Sequence, residues 1–234
     1  MKDRDDAFLT LKNLVAQMST HTVGMFENAI RALINRDTEL ARQVLSTDDQ
    51  VNNLDLQIEE ICIRILALYE PKGPDLRHIL TISRIINDLE RIGDHCTSIC
   101  REVIHLNKVP QVKPYIDIPR MGDAAANMVR DAIDAYFRCD SDLALKVIKR
   151  DDTVDEYQAQ IIRELLTYIL EDVRKTQPVI WLIFITRRIE RIADHASNIA
   201  EQVYYMETGT VIRHRKVVEP KETQGGSSEP DTAD

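Results

Sequence analysis

No stretch of this sequence is apolar for long enough to cross a bilayer. The longest such run, VIWLIFI from Val179, falls far short of the ~20 residues that a helical span needs. The first ten residues, MKDRDDAFLT, are acidic and lack the apolar centre of a signal peptide, so a cytoplasmic location is expected. Positive charge is in deficit: 30 Lys and Arg against 39 Asp and Glu leave a net charge of −9. A nucleic-acid binder needs the opposite surplus to neutralise phosphates, and that class is excluded. Glycine is scarce, at 7 residues, and neither GxGxxG nor GxxxxGK occurs, which removes the glycine-built phosphate cradles. There is no serine elbow and no Cys/His dyad, so no enzyme is expected. The four cysteines show no CxxC spacing, and a reducing compartment would keep them as thiols.

What the sequence does contain is a repeat. DLERIGDHCTSIC begins at Asp88 and RIERIADHASNIA at Arg188. Around the first copy the apolar residues fall at Ile82, Ile85, Leu89, Ile92, Cys96, Ile99, Val103 and Leu106, alternating in steps of three and four. That spacing is a helix burying one seam. Leu182, Ile185, Ile189, Ile192, Ala196, Ile199, Val203 and Met206 repeat it at a shift of 100. Upstream, Asp37, Leu40, Ala41, Val44, Asp49 and Val51 match Asp140, Leu143, Ala144, Val147, Asp152 and Val154 at a shift of 103. EPKGPD from Glu70 can hold the three residues of difference, because its Pro and Gly mark a helix-to-helix turn.

The predicted fold is therefore all-α, two tandem three-helix bundles. The helices run roughly over 5–35, 38–69 and 74–107, then 117–138, 140–175 and 177–208. The first bundle spans 5–107 and the second 117–209. The prolines of NKVPQVKPYIDIP interrupt the helix between them. Residues 210–234, polar and rich in Gly, Ser and Pro, are expected to be a disordered tail.

Beside each seam lie acids. Glu90 and Asp94 are four residues apart and project from neighbouring turns of one face, as do Glu190 and Asp194. Two like charges at that spacing repel, and a cation between them reverses the sign. Antiparallel packing can bring the start of the preceding helix close. That start offers Asp48, Asp49 and Asn52 in the first half and Asp151, Asp152 and Asp155 in the second. Such oxygen-rich sets suit hard or borderline cations such as Mg, Mn or Fe. The competing reading is a solvated helix face with ordinary pairing to Arg91 and Arg191. Since Asn52 stands where Asp155 brings a carboxylate, the second set is expected to hold a cation more tightly. His95 and His195 lie at a different angle on the helix and are read as partly buried residues of the bundle edge. Gly93 and Ala193 are read as a small position that lets a neighbouring helix approach.

The segments DDQVNNLDLQIEEICIRILAL, PKGPDLRHILTISRIINDLERIGDHCTSIC and RRIERIADHASNIAEQVYYMETG resemble the PhoU family, accessory regulators of bacterial phosphate-specific transport, over nearly all of residues 5–209. The resemblance implies a cytosolic negative regulator of the phosphate-starvation response, standing between the phosphate ABC transporter and a membrane sensor histidine kinase. It further implies a homodimer, and ExxxD motifs that carry multinuclear Fe or Zn clusters in some members. The positions that carry over are Glu90, Asp94, Glu190 and Asp194, then Asp49 with Asn52 and Asp152 with Asp155; Asp48 and Asp151 complete the sets. Two other readings compete with the regulator. A carboxylate-bridged di-iron enzyme needs ExxH pairs facing a four-helix core, and neither motif copy has one. A ligand-free structural adaptor would use the acids for solubility alone.

Overall fold

A computed structural model describes residues 2–212. The described residues form six long helices, α1 (Lys2–Asn35), α2 (Thr38–Tyr69), α3 (Pro74–Leu106), α4 (Asp117–Arg138), α5 (Ser141–Glu171) and α6 (Thr176–Thr208), with a 3₁₀ turn at Val173–Lys175 before α6. α1 to α3 pack as one bundle and α4 to α6 as the other. Of the expected tail, all but residues 210–212 lies outside the described residues.

The repeat is built into the turns as well as the helices. Arg36 and Cys139 both take φ of 54°, ending α1 and α4 in the left-handed conformation. In each turn the next residue's N–H reaches back five positions, Asp37 to the Ala32 carbonyl and Asp140 to the Ala135 carbonyl, both at 2.9 Å. These bonds satisfy the last carbonyls of each helix. Asp37 and Asp140 then cap the following helix, accepting from the N–H of Leu40 at 2.9 Å and of Leu143 at 2.8 Å. The same aspartate thus closes one helix and opens the next in both halves.

The reading of one helix over 140–175 needs correction. α5 stops at Glu171, because Asp172 is extended (φ −150°, ψ 104°) and its carboxylate accepts from the N–H of Arg174 instead. A short polar side chain that can bond its own backbone competes with helix continuation. α1 also begins earlier than expected, at Lys2.

The halves meet through their own counterparts, α3 against α6 and α1 against α4, as an approximate twofold axis requires. α3 and α6 run antiparallel: Arg84 reaches Gln202, His95 stacks near His195, and His105 lies by Trp181. From Leu89 to Cys100 the sequence of buried, half-buried and exposed positions is the same as from Ile189 to Ala200. The buried side chains of both bundles form one continuous apolar core, with Leu89, Ile92, Ile189 and Ile192 fully enclosed. Cys96 and Cys100 belong to that core, and burial pushes the Cys100 thiol up to about 12.

Candidate acidic sites and the interface between the halves

The start of α2 lies against the middle of α3, as antiparallel neighbours allow. A Cβ added to Gly93 would stand 3.7 Å from Asp48 Oδ1 and from Val51 Cγ1. That is ordinary van der Waals contact, so the position admits the alanine found at Ala193. Asp94 lies close enough to Asp48 and Glu90 to alter the titration of those two. Burial, and then Asp94, raise the Asp48 carboxyl above its usual range. Burial, then Asp94, with Asp55 and Asp48 adding to it, raise Glu90. Across the pseudo-axis, burial and then Asp94's counterpart Asp194 raise both Asp155 and Glu190, with Asp152 acting on Asp155 and both Asp155 and Asp151 acting on Glu190. The structure therefore gathers both acidic sets named from the sequence. Asp49 is the outlying member, exposed and touching the group only through its neighbour Asp48.

Two features escaped the sequence reading. Asp55 acts on Glu90 although it lies outside the repeated acidic segment, and its counterpart is Gln158. The first set then also has five carboxylates, and the charge count that favoured the second set disappears. Asn52 does not offer its carbonyl to the group; its amide donates to Asp48 Oδ2 at 3.4 Å. Only the fold, which lays one helical face beside another, reveals Asp55.

At present an arginine supplies the cation in each set. Arg91 lies 3.5 Å from Glu90 and 3.1 Å from Asp94, while Arg191 lies 3.7 Å from Glu190 and 3.0 Å from Asp194. Among the described residues no three His, Cys, Asp or Glu side chains are arranged to hold a metal ion as they stand. The donor chemistry nevertheless suits a hard cation: these are carboxylates at close quarters, and burial followed by the neighbouring carboxylates raises Asp48, Glu90, Asp155 and Glu190.

A pH dependence follows from those shifts. Glu90 and Glu190 titrate above 4.5 and Asp48 and Asp155 above 3.8. Between the unfolded and the raised folded pKa the native state binds more protons than the unfolded chain. Stability contributed by these groups therefore rises as pH falls from neutral through that window. Glu190→Gln is expected to be more stable than the parent at neutral pH and to gain less on mild acidification. Urea unfolding at a series of pH values reads both; a parent at least as stable as the variant at neutral pH would remove the repulsion argument.

His95 and His195 are half-buried, as read, but their place is the seam between the halves, with ring centroids 5.4 Å apart. Each meets the residue that begins the opposite copy of the motif. His195 Nδ1 lies 2.8 Å from Asp88 Oδ1, and Arg188 Nη1 lies 3.4 Å from His95 Nδ1. One geometric contact is thus made twice, once with an acid and once with a base. Burial, His195 and the arginines Arg188, Arg191 and Arg91 press His95 down to about 4, so it is neutral and accepts from Arg188.

A family model described as the PhoU domain matches this chain twice, over residues 15–103 and 118–203. The chain belongs to the PhoU family. Its two matches coincide with the two bundles. It is 45% identical over 188 residues to a phosphate-specific transport system accessory protein PhoU homolog of Pseudomonas putida, covering 80% of this chain and 73% of that one. With the accessory protein PhoU of Escherichia coli K12 it shares 34% over 205 residues, 88% of this chain and 85% of that one. The crystal structure of PhoU from Pseudomonas aeruginosa superposes with a TM-score of 0.86 at 39% identity, covering 88% of this chain and 99% of that one. A PhoU from Streptococcus pneumoniae gives 0.82 at 26% identity, over 90% and 99%. The fold expected of the PhoU family is the fold observed.

Proposed function

We propose that this chain is a non-catalytic regulator of phosphate uptake, acting in the cytoplasm as a negative regulator between a phosphate ABC transporter and a sensor histidine kinase. The observation that supports it is membership of the PhoU family over both bundles, together with relatives named as accessory proteins of phosphate-specific transport. No described helix is long and apolar enough to cross a membrane, so contact with a membrane system would come through its proteins. Homodimerisation is part of the same reading.

Within this reading the two acidic sets bind cations. Asp48, Asp49, Asn52, Glu90 and Asp94, joined by Asp55, would serve the first; Asp151, Asp152, Asp155, Glu190 and Asp194 would serve the second. A divalent ion, or a multinuclear Fe or Zn group, would supply positive charge between the second and third helices of each bundle. Arg91 and Arg191 would then release their carboxylates.

Deleting the gene should raise expression of phosphate-starvation genes in phosphate-rich medium, with restoration by the intact chain. Unchanged expression would refute the regulatory assignment.

A further inference from the structure

The polarity change between Asp88 and Arg188 recurs at one other pair of equivalent positions on α3 and α6, Arg101 and Glu201. Ser98, Arg101, Glu102, Phe184 and Arg188 line an open cavity of about 270 Å³ there. The pseudo-twofold axis carries these positions onto Asn198, Glu201, Gln202, Arg84 and Asp88. Both arginines of the cavity are acids on the other side. That side is also closed by its own bonds: Arg84 donates to Gln202 Oε1 at 2.9 Å, and Asn198 donates to Asp88, which also holds His195. On the cavity side, among the described residues, the one hydrogen bond across the seam is that of Arg188 to His95 Nδ1 at 3.4 Å. Among the described residues Arg101 makes no hydrogen bond. Ser98 Oγ spends its proton on the Asp94 carbonyl at 3.0 Å. Glu102 Oε2 is shielded from solvent with no hydrogen-bond partner, and the nearest base, His105 Nδ1, is 3.7 Å away.

We propose that this cavity binds a protonated tetrahedral oxyanion, hydrogen phosphate. The inference stands on the geometry of the seam and is independent of the regulatory reading. Guanidinium groups at Arg101 and Arg188, one from each half, are the donors that an anionic phosphate requires. The carboxylate of Glu102 would repel a fully ionised anion, but it accepts the hydroxyl that a hydrogen phosphate carries. A buried acceptor without a donor is costly, and that hydroxyl satisfies it. Sulfate has the same shape and no proton at neutral pH, so Glu102 discriminates against it. The same pairing of donors with one acid acceptor would place the ligand across the two halves, next to the His95 contact of Arg188.

The full chain is titrated with inorganic phosphate, sulfate, a phosphate monoester and vesicles bearing phosphate-monoester headgroups, using calorimetry and amide NMR shifts of α3 and α6. Inorganic phosphate is expected to bind at least about tenfold more tightly than sulfate, and Arg101→Gln or Arg188→Gln to weaken it by about tenfold or more. Glu102→Gln is expected to bring phosphate and sulfate within about threefold of each other, since an amide can donate to either. A phosphate monoester, whose second pKa is about 6, is mostly unprotonated at neutral pH and is expected to bind more weakly than inorganic phosphate. Tighter binding of the monoester or of the vesicles would overturn the hydroxyl contact to Glu102. Arg101 is exposed and removed from the core, so its variant remains informative if the Arg188 variant disturbs the seam. Equal affinity for phosphate and sulfate in the parent, no binding of either, or undiminished binding by folded Arg101→Gln would overturn the proposal.

Discussion

Leu89→Ala is expected to lower the unfolding free energy by roughly 2–5 kcal/mol, the range for deleting a large buried aliphatic side chain whose cavity collapses only partly. Leu89 is wholly enclosed, and so is its counterpart Ile189, where alanine should cost a similar amount. The sharper expectation concerns cooperativity. Two bundles joined only by a linker would unfold separately, and each substitution would displace one of two transitions. Here the apolar core runs from one bundle into the other through α3 and α6. Both variants should therefore displace the same single transition, read by circular dichroism in urea and by amide exchange in α2 and α5. A second transition that moves with only one of the two substitutions would show that the seam does not couple the halves.

Divalent cation is expected to stabilise the chain through the acidic sets, by about 2.7 kcal/mol for each independent site when free metal stands at 100 times its dissociation constant. Repulsion among Asp48, Glu90, Asp94 and Asp55, and among Asp155, Glu190, Asp194 and Asp152, is what the ion relieves. Glu90→Gln/Asp94→Asn and Glu190→Gln/Asp194→Asn should each abolish one site's share of the gain. With Asp55 counted, each set has five carboxylates, so the two losses should be of similar size. Thermal unfolding of each double variant with and without Mg or Mn gives the comparison. A metal response left intact in both variants would remove the acidic sets as cation sites. A much larger loss from the second pair would restore the difference that Asn52 suggested.

Much of this architecture was legible in one dimension, for local reasons. A helix buries one seam, and residues three and four apart must share it, so the alternation from Ile82 to Leu106 already names the inner face. Its recurrence at Leu182–Met206 names the second copy. The turn aspartates Asp37 and Asp140 stood out there only as matched positions of the repeat; that each caps the next helix through the N–H three residues on comes from the structure. The end of α5 was less legible: the apolar period continues past Glu171, while the backbone turns at Asp172.

The acidic sets divide in the same way. Glu90 with Asp94, and Glu190 with Asp194, are neighbours along one helix, and spacing alone places them together. Asp55 is brought to Glu90 by the crossing of α2 over α3, a distance that no pattern within either helix encodes. The seam is the clearest case. The sequence by itself determined that Asp88 and Arg188 hold equivalent places in two equivalent helices. Only the antiparallel packing of α3 on α6 decided that each lies against the other half's histidine, and that Arg101 and Arg188 open onto one cavity with Glu102. Periodicity records which side of a helix is buried, whereas the partner across that face is chosen by how whole helices pack.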